Sequence, residues 1–282
     1  MKSARSFISK VFLSAHYSIH YRRVRRVQWS STAPSNHTIL FLLNGKLVWE
    51  AAGATGGEIN RYGALLVNPG ETTSVRGAGI EFLTLTLASS FVLDCAVRTG
   101  LTRVDNLVAF RQPAITQDER LARSARDMTD ELLAEEAGQG VILAALVEQV
   151  IVHLLRRYAD IRHSSEIELS RAGLVDRRIR RAVELMHAHL NQDLPLEDLA
   201  AAAYLSPFHF ARLFKKVTGT SPHAYLAALR MMRAERLLAE TDLSITEVGA
   251  RVGYNSSSHF AKAFRQTTGL APRAFRAAVI RG

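Results

Sequence analysis

The stretch "SPFHFARLFKKVTG", Ser206 to Gly219, returns fifty positions later as "SSSHFAKAFRQTTG", Ser256 to Gly269. Aligned at that offset, residues 204–225 and 254–275 share 10 of 22 positions, among them Tyr204/Tyr254, Ser206/Ser256, His209/His259, Phe210/Phe260, Phe214/Phe264 and Gly219/Gly269. Each copy is punctuated as a helix, with a serine at the N-cap position and a glycine past the end. On a helix, Phe210, Phe214 and Val217 share one face at i, i+4 and i+7, and Phe260, Phe264 and Thr267 do the same, so these faces are expected to be core. The opposite face carries Phe208, Ala211, Arg212 and Lys215 in the first copy and Ser258, Ala261, Lys262 and Arg265 in the second. It keeps a basic lower half and changes its tip. Two helices with one packing plan and different exposed chemistry are predicted.

A short helical segment precedes each copy, Leu196 to Ala203 and Thr246 to Val252, across a turn of a few residues. Helix, tight turn and helix is the arrangement whose second helix can enter a major groove. Between the copies, Ser221-Pro222 opens a long helix reaching about Glu240, roughly 28 Å at 1.5 Å per residue. Successive major-groove faces lie about 34 Å apart. The spacing therefore predicts one chain reading two adjacent groove segments on one side of a duplex, with helices 207–218 and 257–267.

Charge placement agrees. Of a net +10, residues 175–282 hold 16 Lys/Arg and 9 Asp/Glu, giving +7, and residues 1–26 hold seven Lys/Arg and no acid, giving another +7, which leaves the middle at −4. A basic carboxy-terminal domain suits a polyanionic partner. The length of 282 residues predicts two domains. The single Cys95 is expected to be inert and fits a reducing compartment. With no apolar run approaching the ~20 residues of a membrane helix, and with 1–26 read as a basic tail rather than a signal peptide, a soluble cytoplasmic protein is expected.

The first half alternates as strands do. "HTILFLLNGKLVWEAAG", His37 to Gly53, places two apolar runs around Asn44-Gly45, which predicts a tight hairpin there. "ALLVNPGETTSV" and "IEFLTLTLA" continue the pattern and indicate a small β-barrel or sandwich. From Gln117 the period becomes helical. "GVILAALVEQVIVHLLRRYA" is apolar around much of its circumference, so it is buried in its own domain or pairs with another subunit, and a homodimer formed partly through Leu143, Leu146, Val150 and Leu154 is expected. "DIRHSSEIELSRAG", Asp160 to Gly173, breaks the period and reads as a linker.

The final hundred residues, with "LEDLA", "LSPFHFARLFKKVTGTSPHAYL" and "AERLLAETDLSITEVGARVGYNSSSHFAKAFRQTTGLAPRAFR", closely resemble the DNA-binding domain of the AraC/XylS family of bacterial transcription regulators. The preceding order of strands then helices resembles that family's amino-terminal effector and dimerisation domain. The implied fold is α+β: a cupin-like β-barrel with following helices, then an all-α domain with two helix-turn-helix units. The implied division is a tail at 1–26, an effector and dimerisation domain at 27–162, a linker at 163–174 and the DNA-binding domain at 175–282. The resemblance implies base contact from Phe208, Ala211 and Arg212 in the first unit and from Ser257, Ser258, Ala261 and Lys262 in the second. Arg212 has the fork for a bidentate pair with guanine, and Phe208 the apolar ring for a thymine methyl. Lys215, Lys216 and Arg265 on the same faces are the phosphate candidates. The implied partners are double-stranded DNA, RNA polymerase, a second copy of the chain and a small-molecule effector, with no cofactor.

The rival reading from another class is a metal-dependent cupin enzyme, or a metal-free cupin-like sensor, fused to a helical domain. Cupin metal sites need several His and a Glu from neighbouring strands. Between Ser30 and Pro113 there is one histidine, His37, and "NPGETTSV" has threonines where a ligand would stand. His16 and His20 are four apart but have no third ligand. With no Gly-rich phosphate loop and no Ser/His/Asp set, a non-enzyme without a metal is expected. Trp29, Phe41, Trp49, Tyr62 and Phe82 are the candidates for lining an effector pocket, ordinary core being their competing role.

Overall fold

The computed structural model describes residues 8–31, 36–51, 54–69, 71, 73–101, 107–162, 177–218 and 221–280. The expected linker 163–174 and the side chains of Lys216 and Val217 lie outside the described residues. Ten strands are described: β1 (Ile8–Leu13), β2 (Tyr17–Ser31), β3 (His37–Asn44), β4 (Lys46–Ala51), β5 (Ala54–Asn60), β6 (Ala64–Val67), β7 (Thr73–Leu87), β8 (Leu107–Phe110), β9 (Ala114–Ile115) and β10 (Ala159–Arg162). Three helices accompany them: α1 (Ser89–Arg98), α2 (Glu119–Ala134) and α3 (Gln139–Arg157).

β2 and β7, each of 15 residues, are the spine of an eight-stranded sheet and pair antiparallel from Tyr17↔Leu87 to Ser31↔Thr73. On its other edge β7 takes two partners in succession. β3 pairs with it from His37↔Leu87 to Leu42↔Phe82, and β4 from Leu47↔Gly77 to Ala51↔Thr73. The expected hairpin at Asn44-Gly45 is therefore corrected to a bend in one long run of chain. β7 is long enough to hold both strands, so the dipeptide supplies a corner rather than a reversal. Gly45 is needed there, since its φ is +93° and an added Cβ would meet Ile80 Cγ2 at 2.9 Å. The path β1-β2-β7-β3-β6-β9 is open among the described residues, with β4 and β5 beside the far half of β7.

Period-two alternation sorts the side chains into two layers. Ile39, Phe41, Leu43, Leu83, Leu85 and Leu87 pack under α1, α2 and α3. Leu40, Leu42, Leu47, Trp49, Ile59 and Phe82 form the core layer on the other face. Asp118 ties the helices down: Oδ1 accepts from the Arg120 and Leu121 N–H groups at 3.1 Å each, capping α2, and Oδ2 takes 2.7 Å bonds from His153 Nε2 and Tyr158 Oη.

Two further expectations are corrected. Residues 8–26 are strands β1 and β2, not part of a basic tail, because Tyr17, Ile19 and Tyr21 recur at period two and are buried beneath the helices. The arginines that follow, Arg22, Arg23, Arg25 and Arg26, hid that short period in the sequence. On α3, Leu143, Val150 and Leu154 are fully buried and Leu146 is partly so, all within the amino-terminal core. A helix apolar on all sides must bury one side at home, and these four lie on that side. Within this chain that side is spent on its own core, and the exposed apolar residues of α3 are Val141 and Ile142, at 76% and 47%. By length and composition α3 also passes for a membrane span, but its packing on the sheet accounts for that apolarity.

The carboxy-terminal domain is all helix: α4 (Arg177–Ala188), α5 (Leu196–Ala202), α6 (Pro207–Thr218), α7 (Pro222–Glu240), α8 (Ile245–Arg251), α9 (Ser257–Thr268) and α10 (Pro272–Ala278). It has two cores. Ile179, Ala182, Met186, Leu199, Phe210, Phe214, Leu226 and Leu229 form one. Met231, Leu238, Val248, Val252, Phe260, Phe264 and Phe275 form the other, and Val11 of β1 is buried among them. α7 supplies residues to both, so it is the shared wall between two similar units.

Candidate nucleic-acid interface

In the first unit α5 leads through Ala203, Tyr204 and Leu205 into α6. Tyr204 is left-handed at φ 54°, and the Leu205 N–H donates to Ala200 O at 2.9 Å. In the second unit α8 leads through Val252 and Gly253 into α9, with Gly253 at φ 82° and the Tyr254 N–H on Gly249 O at 2.9 Å. Local sequence explains both starts. Ser244 caps α8 in a reciprocal box with Glu247, and the Ser206 and Ser256 Oγ atoms accept the His209 and His259 N–H groups at 3.4 Å each. Gly249 lets the two helices of the second unit approach, since an added Cβ would lie 3.2 Å from the Phe260 ring.

Phe210, Phe214, Phe260 and Phe264 are fully buried, as the repeat predicts. Thr267 departs from it: Thr267 is exposed and Thr268 takes the buried place. The outward face of α6 brings together Phe208, Arg212 and Lys215, all exposed, with Ala211 half-buried beside them. Phe208 is 73% exposed, a position no folding argument requires of an aromatic ring. The outward face of α9 brings together Ser257, Ser258, Lys262 and Arg265, all exposed, with Ala261 half-buried. The Ser257 hydroxyl donates to Thr246 Oγ1 at 3.1 Å, which orients it on the rim. Neither helix contains a carboxylate. Two exposed cationic faces follow, the first tipped by an aromatic ring and the second by hydroxyls.

The repeated tyrosines differ in setting. Tyr254 packs on Phe260 with ring centroids 5.7 Å apart. Tyr204 is 76% exposed at the turn, with the Arg181 guanidinium 5.2 Å from its ring. Sequence reasoning missed Tyr204 as a surface feature because its identity with Tyr254 suggested an identical role.

A model for a helix-turn-helix domain matches residues 199–278, spanning both units. The chain is 40% identical over 78 residues to the regulatory protein PocR of Salmonella typhimurium and 33% identical over 127 residues to the transcriptional regulator GbdR of Pseudomonas aeruginosa. The carboxy-terminal domain belongs to the AraC/XylS family. The likeness spans only 26% of PocR and 34% of GbdR. Over both domains, ToxT from Vibrio cholerae superposes with a TM-score of 0.62, covering 94% of this chain and 98% of that one at 10% identity. That likeness is one of fold, the two-domain α+β arrangement.

The sheet docks on the second unit of this AraC-type domain. The Ile280 N–H donates to Val11 O at 2.9 Å beside a parallel bridge between Val11 and Val279. The Trp29 indole N–H donates to Thr267 O at 3.2 Å, and Arg236 Nη2 to Ala15 O at 2.9 Å. His20 sits edge-on to Phe275, centroids 5.7 Å apart. Arg22 lies against Gly269, where an added Cβ would overlap its guanidinium. Burial lowers His20 to about 3 and Arg22 to about 10, and Glu235, although part of its surface is exposed, has its carboxyl enclosed and pushed up to about 7, with the Arg22 charge pulling it back.

The five aromatic pocket candidates do not converge. Trp29, Trp49 and Phe82 share one core layer, but Phe41 belongs to the other, with α2 and α3. Tyr62 stands outside both layers, beneath the guanidinium groups of Arg61 and Arg126 at 4.5 and 5.0 Å. Neighbouring strands with period-two alternation put Phe41 and Phe82 on opposite faces, which corrects the expectation of one lining.

Proposed function

We propose that this chain is a sequence-specific DNA-binding transcription regulator whose amino-terminal domain responds to an effector and whose AraC-type domain reads two adjacent major-groove segments. The observation that carries the reading is the pair of outward faces on α6 and α9, exposed, cationic and free of carboxylates. α7 spaces them with 19 residues, roughly 28 Å at 1.5 Å per residue. Base contact is assigned to Phe208, Ala211, Arg212, Ser257, Ser258, Ala261 and Lys262, and phosphate contact to Lys215, Lys216 and Arg265. The role is non-catalytic and cytoplasmic, with RNA polymerase as the further macromolecular partner.

The homodimer is assigned to the exposed apolar residues Leu133 on α2 and Val141 and Ile142 on α3. The test of the function is selection of duplexes from a random library by the full chain. Enrichment of a motif in two parts about one helical turn apart supports the reading. Retention of all sequences alike overturns it.

A further inference from the structure

We infer that the amino-terminal domain acts on DNA recognition through the second helix-turn-helix unit alone, with β1 and β2 serving as a clamp that completes and orients α9 while α6 stands free of it. This rests on the DNA-binding reading above and adds a division of labour between the two units.

The described contacts between sheet and helices are one-sided. Val11 O and Ala15 O from the region of β1 meet Ile280 and Arg236, and Val11 itself is buried in the second core among Val248, Phe264 and Phe275. From β2, His20 meets Phe275, Arg22 lies at Gly269, and Trp29 bonds Thr267 O. Asn36 completes the set with a 3.5 Å contact to Met232 Sδ. Each contact falls on the later half of α7, the end of α9 or the region of α10. The core of the first unit is built from α4, α5, α6 and the early half of α7. The two readers share a packing plan, but among the described residues only the second borrows a side chain from the amino-terminal domain.

The clamp supports α9 rather than covering it. Ser257, Ser258, Lys262 and Arg265 remain exposed with the clamp closed. Trp29 holds the carbonyl at the far end of α9 from the serine tip. Loosening the clamp therefore leaves the DNA-facing groups in place and costs the second reader its fixed angle. A reader that is competent only part of the time binds more weakly by that fraction.

The experiment uses the full chain with Trp29→Phe, which removes one N–H donor and keeps a ring, and with Val11→Ala as the stronger variant. Amide hydrogen exchange is followed in 257–268 and in 207–218. Binding is measured to the selected duplex and to versions with either half scrambled. We expect faster exchange in 257–268 with 207–218 unchanged. Affinity for the intact duplex should fall roughly three- to tenfold, with no change on the duplex whose second half is scrambled. Equal acceleration of both helices, no acceleration of either, or equal affinity loss on both scrambled duplexes overturns the inference. A wild-type chain with no base preference sinks the DNA-reading proposal instead, and the exchange comparison then decides this one.

Discussion

The indole N–H of Trp29 donates a 3.2 Å hydrogen bond to the carbonyl of Thr267, the penultimate residue of α9. That carbonyl is one of the last four of its helix and has no partner within it. A residue near the end of β2 thus satisfies the end of α9, and the fold of one domain enters the geometry of the other.

Arg212 is exposed on the reader tipped by Phe208, so Arg212→Ala should cost roughly 1–3 kcal/mol and relax preference at one base in the first half of the site. Lys262→Ala should mainly reduce affinity. Lys215→Ala should weaken binding to all sequences alike and reduce the salt slope by about 1. Isotherms against single-base variants at several salt concentrations check all three, and the assignment is reversed if Lys262→Ala is the change that erases base preference.

The seam between the domains should respond to pH through Glu235. Its carboxyl is raised to about 7 from an ordinary 4.5, so its contribution to stability is complete below the ordinary value and is lost as pH rises through about 7. His20, held down to about 3 from 6.5, has the opposite sign: its contribution is present above 6.5 and lost as pH falls toward 3. The two oppose each other between those limits, so the wild-type profile alone does not separate them. Glu235→Gln does, since glutamine mimics the protonated acid. The melting temperature of Glu235→Gln relative to wild type should rise from pH 5 and level off above about pH 7; a flat or falling difference would show that the carboxyl is not enclosed as described.

Ser244 carries both halves of a capping box, accepting the Glu247 N–H at 3.2 Å while its own N–H donates to Glu247 Oε2 at 2.7 Å. Ser244→Ala should cost about 1 kcal/mol of stability. Denaturant titration of both chains measures it, and an unchanged midpoint would mean that α8 is held by packing alone.

Val141 and Leu143 are two residues apart on α3 and face opposite ways, one 76% exposed and the other fully buried. Val141→Glu should shift a dimer toward monomer in light scattering and leave the melting temperature near wild type. Leu143→Glu should unfold the amino-terminal domain, because an unpaired charge in an apolar core has a large desolvation cost. Monomeric wild-type chain at tens of micromolar removes the dimer proposal.

The sequence by itself determined the carboxy-terminal domain. Its helices are short-range structures whose caps, apolar period and turns sit within a few residues of each other, and the internal repeat checks each assignment against a second copy. The outward faces with Phe208, Arg212, Ser258 and Lys262 were legible for the same reason, since a face follows from spacing alone.

Only the tertiary structure decided which surfaces were spent on packing. The Asn44-Gly45 corner depends on β7, which begins almost thirty residues later at Thr73, being long enough to hold β3 and β4 together. The burial of Leu143, Val150 and Leu154 depends on which side of α3 met the sheet. The seam is the clearest case. Nothing local to Val11 or Arg22 distinguishes a docked strand from a basic tail, and nothing local to Trp29 distinguishes a pocket lining from a seam. Their partners at Val279, Gly269 and Thr267 lie more than 230 residues away. Periodicity reports which face of an element is apolar, but the identity of what covers that face is set by the packing of the whole chain.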